Sequence, residues 1–534
     1  MATMKTPGVY IVEKNAFPNS VVEIATAVPA FVGYTQKALN GNKSLLNKAW
    51  RITSMAEFRS YFGGPPKPQF NVEEGDNSST IMFNNKKYAV TRTDKYNMYY
   101  NMLLFYANGG GPCYIVSVGN YDKETEIEKA KLEDGITPLL KEQEPTMLVI
   151  PEAVALSDAN DCYALQQAMV KHCGYEMRNR IALLDIYEGY KDRNNQDGDM
   201  VNNFREKIGS DFLDFGAVYY PWINSSIVQE NELDYSNMDL IQLTAYITEE
   251  IEANYKLIQE REESKAKNER EKEEAIKKIE EKKNEALKIL ELVNDDETMI
   301  KSEIERGKSE GNYESVRKKN HNLLRNLSFF YGEIMKEMRF SLNQLPVSAA
   351  MAGVITMVDN TKGVWKAPAN VGIATAVSPT QSISHEEQED LNVPLSGKSV
   401  NAIRAFAGEG LKVWGARTLD GNSQDWRYIN VRRTMIMLEE SVKNAARAYV
   451  FDPNEANTWV NVKSMIFNFL NGIWKRGGLA GSSPEDAYSV HVGLGETMTP
   501  EDVLEGIMRI TVLVAIVRPA EFIEITFQQQ MQKS

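Results

Sequence analysis

Two carboxylates of the sequence, Glu152 and Asp185, stand where an α/β protein usually binds a ligand. Glu152 follows the apolar segment MLVIP at 147–151, and Asp185 ends the apolar run of RIALLDI at 180–186. In open α/β sheets, ligands bind beyond the carboxyl ends of the strands. No glycine-rich turn opens the helix predicted after either strand, and acids at strand ends also cap helices. The alternatives are therefore a ligand site and a pair of structural caps.

Thiol chemistry is the next candidate. The chain has three cysteines, which are too few for a disulfide framework or a zinc set. Cys162 and Cys173 lie on one face of a predicted helix about 16 Å apart, too far for a disulfide bond or a shared ion. His172 would make half of a catalytic Cys/His pair, but packing in the core is the alternative that the sequence favours. We predict buried, unreactive thiols.

Two glycine clusters partly match phosphate-binding loops. The segment VPLSGKS contains Gly397, Lys398 and Ser399, but a P-loop would also need glycine where the chain has Asn392. In GEGLKVWGA the glycines precede a predicted strand, the reverse of the order in a nucleotide-binding fingerprint. The acids around His385 have no second histidine nearby to share a metal. We predict turns at both clusters, and no catalytic residue, metal site or cofactor.

Composition narrows the classes of partner. The 534 residues include 60 basic and 74 acidic ones, for a net charge of −14, which argues against nucleic acid or an anionic membrane as a partner. The longest apolar runs fall short of the roughly 20 residues that a membrane-spanning helix needs, so no membrane insertion is predicted. The first residues lack the apolar core of a secretory signal, so we expect synthesis and folding in the cytoplasm.

The elements that must position the two carboxylates alternate between strand and helix from 147 to 223. The predicted strands are MLVIP, RIALLDI and FGAVYYPWI, and the helices between them are DANDCYALQQAMVKHCG and NNFREKIG. This alternation predicts a parallel sheet with helices on its faces, within a mixed α/β fold. The region after 346 adds two amphipathic helices, NVRRTMIMLEESVKNAARAYV and NTWVNVKSMIFNFLNGIWKR, followed by strands.

A highly charged segment lies between these regions. From Glu260 to Lys283, eighteen of twenty-four residues are charged, nine of each sign, with neither proline nor glycine. Opposite charges at i, i+4 predict a solvated helix. We predict one helix from Thr248 to Val293, about 69 Å long, a break through NDDE and GKSEGN, and a returning helix that ends before Pro346. This helical hairpin is either a solvated spacer or a surface for a partner.

Each end of the chain carries a predicted strand that has no neighbouring strand in the sequence. The N-terminal one lies between a Pro-Gly and a Phe-Pro, and the C-terminal one alternates between apolar and polar residues. An unpaired strand exposes a row of backbone donors and acceptors and invites pairing with another chain. The apolar and aromatic residues of the two strands are Val9, Tyr10, Ile11 and Val12, and Phe522, Ile523, Ile525 and Phe527.

Six longer segments carry a resemblance to a known family. They are NGGGPCYIVSVG (108–119), LLDI…AVYYPWI (183–223), MVDNTKGVWKAPAN (357–370), DLNVPLSGKSVNAIR (390–404), VWGARTLDGNSQDWRYINVRR (413–433) and GETMTPEDVLEGIMRITVLVAIVRPAEFIEITFQQQM (495–531). They resemble the tail sheath proteins of contractile phage tails, and most of all the sheath of extracellular contractile injection systems, which are phage tail-like particles. The resemblance extends over nearly the whole chain apart from the charged hairpin.

The resemblance implies a tail-sheath fold with a discontinuous core, insertions and terminal arms. The expected divisions are an N-terminal strand arm at 1–28, a core sheath domain at 29–120 and 346–515, an inserted outer α/β domain at 121–245, the charged helical hairpin at 246–345, and a C-terminal strand arm at 516–534.

The resemblance also implies a function. In this family the terminal arms are donated to neighbouring subunits, where they complete a small sheet. The chain would then be a structural, non-enzymatic subunit that polymerises around an inner tube and contracts to drive the tube through a target envelope. Implied partners are further copies of the chain, a paralogous sheath protein, the inner tube protein, and the baseplate and terminal cap proteins. The implied location is the cytoplasm during assembly and then a released particle.

One further site and two rival functions complete the expectations. Lys475 and Arg476, in NGIWKRGG at a helix end, are the candidate contact with the inner tube, and capping of that helix is their alternative role. The rival functions are a static filament scaffold that uses the hairpin as a coiled coil, and a nucleotide-binding enzyme with a Rossmann-like domain. The second would need a ligand at Glu152 or Asp185.

Overall fold

The computed structural model describes residues 21–76, 80–124, 126–194 and 198–525. Apolar, β-branched segments of these residues form strands, and segments of helical periodicity form α-helices. The strands are β1 Pro29–Thr35, β2 Leu39–Asn40, β3 Lys43–Ser44, β4 Ala49–Ile52, β5 Phe70–Glu74, β6 Thr80–Phe83, β7 Lys86–Arg92, β8 Cys113–Asn120, β9 Met147–Val149, β10 Ile181–Asp185, β11 Gly216–Tyr220, β12 Ile223–Ser225, β13 Gln344–Leu345, β14 Val371–Gly372, β15 Ala376–Pro379, β16 Asn401–Phe406, β17 Gly410–Trp414, β18 Tyr488–His491 and β19 Thr511–Val514.

The helices begin and end as follows. They are α1 Met55–Phe62, α2 Met98–Ala107, α3 Lys129–Asp134, α4 Ala159–Lys171, α5 Met200–Lys207, α6 Leu240–Lys265, α7 Glu269–Glu305, α8 Glu314–Leu327, α9 Phe329–Asn343, α10 Ser348–Lys362, α11 His385–Asn392, α12 Ile429–Ala446, α13 Ala456–Lys475, α14 Pro484–Ala487 and α15 Pro500–Leu504. Within the described residues, no helix combines the length and the apolar character needed to cross a membrane.

A nine-stranded sheet organises the larger part of the molecule. Its strand order is β14-β17-β16-β11-β10-β9-β1-β8-β4, and the six strands from β16 to β8 run parallel. Every residue of β1, β10 and β11 is buried, as expected for parallel strands that are covered on both faces. The predicted parallel sheet, with strands and helices alternating from 147 to 223, is confirmed.

The expected domain boundary at residue 121 divides a single sheet. Strands β9, β10 and β11, which this division assigns to an outer domain, lie at the centre of the same sheet as β1 and β8, and β9 pairs directly with β1. Parallel strands are joined through crossover connections, so spatial neighbours are far apart in sequence.

Helices α2 and α10 show how closely the layers beside this sheet pack. Gly353 of α10 lies against the carbonyl of Phe105 in α2, where an added Cβ would come within 2.5 Å of the oxygen. Only glycine permits this approach of two backbones. The contact fixes α10, whose first eight residues are all buried.

The charged segment reverses direction in its middle, so the prediction of one helix from Thr248 to Val293 is wrong. Helix α6 ends at Lys265 and α7 begins at Glu269. The two helices run antiparallel, since Glu263 near the end of α6 pairs with Lys272 near the start of α7, and farther from the turn the Tyr255 hydroxyl donates to the carbonyl of Lys282 at 3.3 Å. Asn268 caps α7 by accepting from the backbone N–H of Glu271 at 2.9 Å. An Asn followed three residues later by Glu is a capping signal that the charge pattern obscured.

Two further details of the predicted hairpin differ in the structure. Helix α7 runs through NDDE without a break, because Glu297 is buried there and pairs with Arg317 of α8 at 2.9 Å. The returning segment is two helices, separated at Ser328, whose side chain accepts from the backbone N–H of Tyr331 and so caps α9. The predicted break at GKSEGN is confirmed, since α7 ends at Glu305.

A second hydrophobic core lies in the C-terminal part of the chain. It is built mainly on α12, α13 and the two-stranded antiparallel sheet β18–β19, and it includes Val364. Val21 and Ile24, near the other end of the chain, pack against it. We call this unit the C-terminal module. Its α12 is joined to α10 by an ion pair between Arg433 and Asp359, both nearly fully buried.

Candidate subunit-contact site

Glu152 acts as a structural cap. Its Oε2 accepts from the backbone N–H of Tyr34 at 2.7 Å, and its Oε1 accepts from those of Asn97 and Met98 at 3.1 Å, at the start of α2. The side chain is fully buried. Burial raises the pKa of Glu152 to about 7, although the three backbone donors act in the opposite direction. Both oxygens are occupied by the protein itself, which favours the cap over a ligand site.

Asp185 has the same role at another helix. Its Oδ1 accepts from the backbone N–H groups of Val347 and Ser348, at 2.8 and 2.9 Å, where α10 begins. Burial raises the pKa of Asp185 to about 6, against the lowering effect of these donors. The strand-end acids therefore tie β10 and the segment after β9 to the helices beside the sheet. The predicted Rossmann-like ligand site depended on Glu152 and Asp185, and both carboxylates are engaged in capping helices.

The predicted core thiols are confirmed. Cys162 and Cys173 are buried and free, as is Cys113, and burial raises the pKa of the Cys173 thiol to about 12. His172 is buried, with Nδ1 2.9 Å from Glu176 and Nε2 3.4 Å from the Arg180 guanidinium. Both ring nitrogens are engaged, so His172 is placed for packing and not for activating a thiol.

Both glycine clusters form turns, as predicted. Gly397 has a φ of +75°, and Ser399 donates to the carbonyl of Asn392 at 2.7 Å. Gly408 and Gly410, also at positive φ, form the turn between β16 and β17. Across the part of the chain that the structure describes, no group of three or more His, Cys, Asp and Glu side chains could hold a metal ion.

The small sheet β18–β19 has open edges. Tyr488 pairs with Val514 and Val490 with Val512, and these side chains face the second core. The Tyr488 ring also contacts Phe467 of α13, with centroids 5.1 Å apart. Among the described residues each strand has one ladder neighbour, so each has an edge free of ladder partners. Two-stranded sheets are marginally stable alone and gain from added strands.

The C-terminal arm offers apolar side chains to solvent. Phe522, Ile523 and Ile525 are 75%, 79% and 70% exposed, and residues 521–525 form no strand within the single chain. Phe527 lies outside the described residues. Large exposed apolar side chains on consecutive residues are a feature of interaction surfaces. Within the described residues, the side chains of Phe522, Ile523 and Ile525 are thus left mostly uncovered.

The arm is anchored immediately before these residues. The carboxylate of Glu521 accepts from Arg417 at 3.0 and 2.6 Å, from the Tyr428 hydroxyl at 2.9 Å and from Asn392 Nδ2 at 2.8 Å. The Arg417 guanidinium is nearly fully buried. Bidentate Arg–carboxylate pairs are directional as well as strong. This anchor was missed in the sequence because Glu521 lies about 100 residues from Arg417 and Tyr428. Both partners fall in a segment that carries the family resemblance.

The N-terminal strand residues Val9, Tyr10, Ile11 and Val12 lie outside the described residues. The structure describes the chain from residue 21, and the first described residues cross the C-terminal module. Ile24 donates its backbone N–H to Ser441 Oγ at 3.2 Å.

The two residues of the predicted tube contact, Lys475 and Arg476, lie in different surroundings. Lys475 ends α13 and is exposed. Arg476 forms an ion pair with Glu23, and its guanidinium lies over the Trp365 ring, 5.3 Å from the centroid. Arg476 thus has partners within its own chain, near the N-terminal arm, and a tube contact at either residue stays a prediction.

Comparisons with known proteins find similarity to tail sheath proteins in the region of the C-terminal module. Residues 422–530, which contain most of the C-terminal module, match the family model for the phage tail sheath C-terminal domain. The tail sheath protein of Vibrio phage KVP40 is 26% identical over 163 residues, which cover 30% of this chain and 23% of that protein. The aligned part thus spans about a quarter of that relative.

Two solved structures are similar over nearly the whole chain. One is the sheath complex of the extracellular contractile injection system PVC in its contracted state, with 26% identity, a TM-score of 0.56 and 99% of each chain covered. The other is the helical sheath of the anti-feeding prophage in its contracted state, with 25% identity, a TM-score of 0.57, and 99% of this chain and 100% of that chain covered. The chain is therefore similar to phage tail sheath C-terminal domains over residues 422–530 and, along almost its entire length, has the mixed α/β fold of contractile injection system sheath proteins, as its sequence predicted.

Proposed function

We propose that this chain is a structural subunit of a contractile sheath, which polymerises around an inner tube and contracts to drive that tube through a target envelope. The observation that carries the proposal is the likeness, over 99% of the chain, to sheath chains in a contracted state. Coverage at this level includes the sheet, the C-terminal module and the segments that lead into both arms.

Strand exchange between subunits is the proposed means of polymerisation. The arm beyond Glu521 adds a strand to the open β18–β19 sheet of a neighbour, and the N-terminal strand at Val9 to Val12 does the same on another neighbour. Burial of Ile523, Ile525 and Phe527 at about 2 kcal/mol each stabilises one such contact by on the order of 6 kcal/mol before the cost of ordering the arm. A contact between two different surfaces builds an open helical filament when its rotation does not close a ring, and a filament is the product proposed here.

The C-terminal module is then the assembly module, and the nine-stranded sheet with its hairpin forms the outer body. Contraction rearranges the contacts between bodies while the exchanged strands keep neighbours linked. The free energy is stored during assembly, so the subunit needs no nucleotide and no catalytic site. Proposed partners are the inner tube, the baseplate, a terminal cap and a paralogous sheath protein. Assembly takes place in the cytoplasm, before release of the particle.

Electron microscopy of the purified full chain tests this function. We expect hollow tubes in negative stain, and particles assembled with an inner tube should occur in two states that differ in length and width. A single filament width under all conditions would favour the static scaffold instead. A rise in melting temperature with a nucleotide would favour the enzyme, because a ligand that binds the native state stabilises it.

A further inference from the structure

The roots of both arms are attached to the same helix. By root we mean the last described segment before each arm, residues 21–28 on the N-terminal side and 515–521 on the C-terminal side. On the N-terminal side, Ser441 of α12 accepts from the backbone N–H of Ile24 at 3.2 Å, and Arg433 of α12 donates to the carbonyl of Thr26 at 2.8 Å. The N-terminal root therefore lies along α12 from Arg433, in the second turn, to Ser441, near the C-terminal end of the helix.

The C-terminal root is held at the other end of α12. Asn430, in its first turn, donates from Nδ2 to the carbonyl of Val517 at 3.1 Å. Tyr428, the residue that precedes the helix, donates its hydroxyl to Glu521 at 2.9 Å. Four residues after Val517, the carboxylate of Glu521 closes the anchor with Arg417. The described part of the C-terminal arm that lies free of these contacts begins at Phe522.

Helix α12 sets the distance between these attachments. Asn430 and Ser441 are eleven residues apart, which corresponds to about 16 Å along a straight α-helix. The helix is also fixed to the body, through Arg433 to Asp359 and through Arg432 to Asp214 at 3.0 Å. Neither root can shift along α12 without breaking hydrogen bonds to buried groups, which is costly.

We propose that α12 is a rigid spacer that fixes the separation of the two donated strands, with Glu521 and Ser441 as the positioning residues that define where each arm leaves the subunit. This inference rests on the proposed function, since it concerns the distance between the two strands that each subunit donates to its neighbours. A held root also reduces the conformational freedom that each arm loses on docking. During contraction the arms pivot beyond their roots, while the roots stay seated on α12.

Three variants test the spacer against one control. Glu521→Gln breaks the ion pair with Arg417, Tyr428→Phe removes one hydroxyl from the same anchor, and Ser441→Ala removes the acceptor for Ile24. Glu305→Gln makes the matched charge change at an exposed residue that ends α7, outside both arms and both roots. The readouts are the critical concentration for polymerisation, measured by sedimentation, the helical repeat and its spread, measured by electron microscopy, and the monomer melting temperature.

The expected result is a higher critical concentration for the three root variants, with a broadened helical repeat. The rise should be about tenfold for Glu521→Gln and Tyr428→Phe, which lose a hydrogen bond to a charged group, and smaller for Ser441→Ala, which loses a neutral one. Glu305→Gln should match the natural chain in both. Glu521→Gln leaves Arg417 buried without its partner and lowers the melting temperature, so Tyr428→Phe and Ser441→Ala carry the test if that variant does not fold. Root variants with the concentration and repeat of Glu305→Gln would overturn the spacer and leave the proposed function standing. A natural chain that forms no tubes would overturn both.

Discussion

Arg433 and Asp359 form a buried ion pair with two hydrogen bonds, Nη1 to Oδ1 at 2.9 Å and Nη2 to Oδ2 at 2.6 Å. The pair joins α12 of the C-terminal module to α10 beside the nine-stranded sheet. Because it joins the C-terminal module to the body, as the pair of Arg432 and Asp214 also does, its loss should weaken the connection through which the positions of the arms and of the body are coupled.

We expect Asp359→Asn to lower the free energy of unfolding by about 3 kcal/mol, since it leaves the Arg433 charge buried without a partner. Urea unfolding measures the change. Asp425→Asn is the control, because Asp425 is exposed and pairs with Arg518 at 3.5 Å on the surface, where such pairs contribute little. Equal effects of the two substitutions would contradict the assigned importance of the buried pair.

The raised pKa of Glu152 predicts a pH dependence of stability. The native pKa is about 7 and the ordinary value is 4.5, so the native state binds more protons than the unfolded state between these values. The stabilising contribution is therefore fully present below about pH 4.5 and is lost as the pH rises through 7. Over this window the unfolding free energy should fall by about 3 kcal/mol more in the natural chain than in Glu152→Gln.

Urea titrations at pH 4.5 and 7.5 measure that difference. Glu305→Gln, at an exposed residue that ends α7, controls for the loss of one carboxylate. If Glu152→Gln and Glu305→Gln follow the same pH profile, the assignment of the dependence to Glu152 is wrong.

Ending the chain after Glu521 should abolish polymerisation and leave the monomer folded. The truncation removes the exposed Phe522, Ile523 and Ile525 but keeps the anchor to Arg417. Sedimentation velocity should give a monomer, and thermal melting should match that of the full chain within a few degrees. Loss of the monomer fold would mean that the arm serves its own subunit.

The outer end of the hairpin should be dispensable for assembly. Replacing Lys256 to Glu281 by a short Gly-Ser linker joins α6 to α7 where Tyr255 already contacts Lys282. The removed residues are mostly charged and solvated, so little buried area is lost. Electron microscopy should still show tubes. A folded variant that stays monomeric would make the hairpin an assembly element.

A longer deletion, from Tyr255 to Tyr331, should behave differently from the replacement of Lys256 to Glu281. It would remove Phe330, which is buried and stacks on Phe83 with ring centroids 4.4 Å apart, and should therefore lower the melting temperature by many degrees.

Lys475 and Arg476 should separate into two phenotypes. Arg476→Glu places an acid beside Glu23 and should disturb the N-terminal root, so it should reduce polymerisation in any state. Lys475→Glu should weaken only sheath assembled on the inner tube, with an effect that falls as salt is raised. Co-sedimentation with tube protein at two ionic strengths distinguishes them. Identical behaviour of the two variants would argue against a tube contact at Lys475.

The local pattern of residues was enough to predict many of the strands and helices of this molecule. The period-2 and 3.6-residue patterns from 147 to 223 predicted β9, β10, β11, α4 and α5, because each of these elements buries a face defined by its own residues. The two amphipathic helices of the C-terminal region and the burial of the cysteines followed from the same reasoning. The apolar residues Phe522, Ile523 and Ile525 were also evident, because they alternate with polar residues in a strand-like pattern.

The tertiary structure decided what depends on groups distant in the chain. The order of strands in the nine-stranded sheet joins β1 and β8 to β9, β10 and β11 across the expected boundary at 121, and the packing of α6 on α7 made the charged segment turn at residues 266–268. Glu152, Asp185 and Glu521 differ little in the sequence from other acids. Their roles as two helix caps and an arm anchor come from donors brought together by folding, and hydrogen bonds between distant residues leave no periodic trace in the chain.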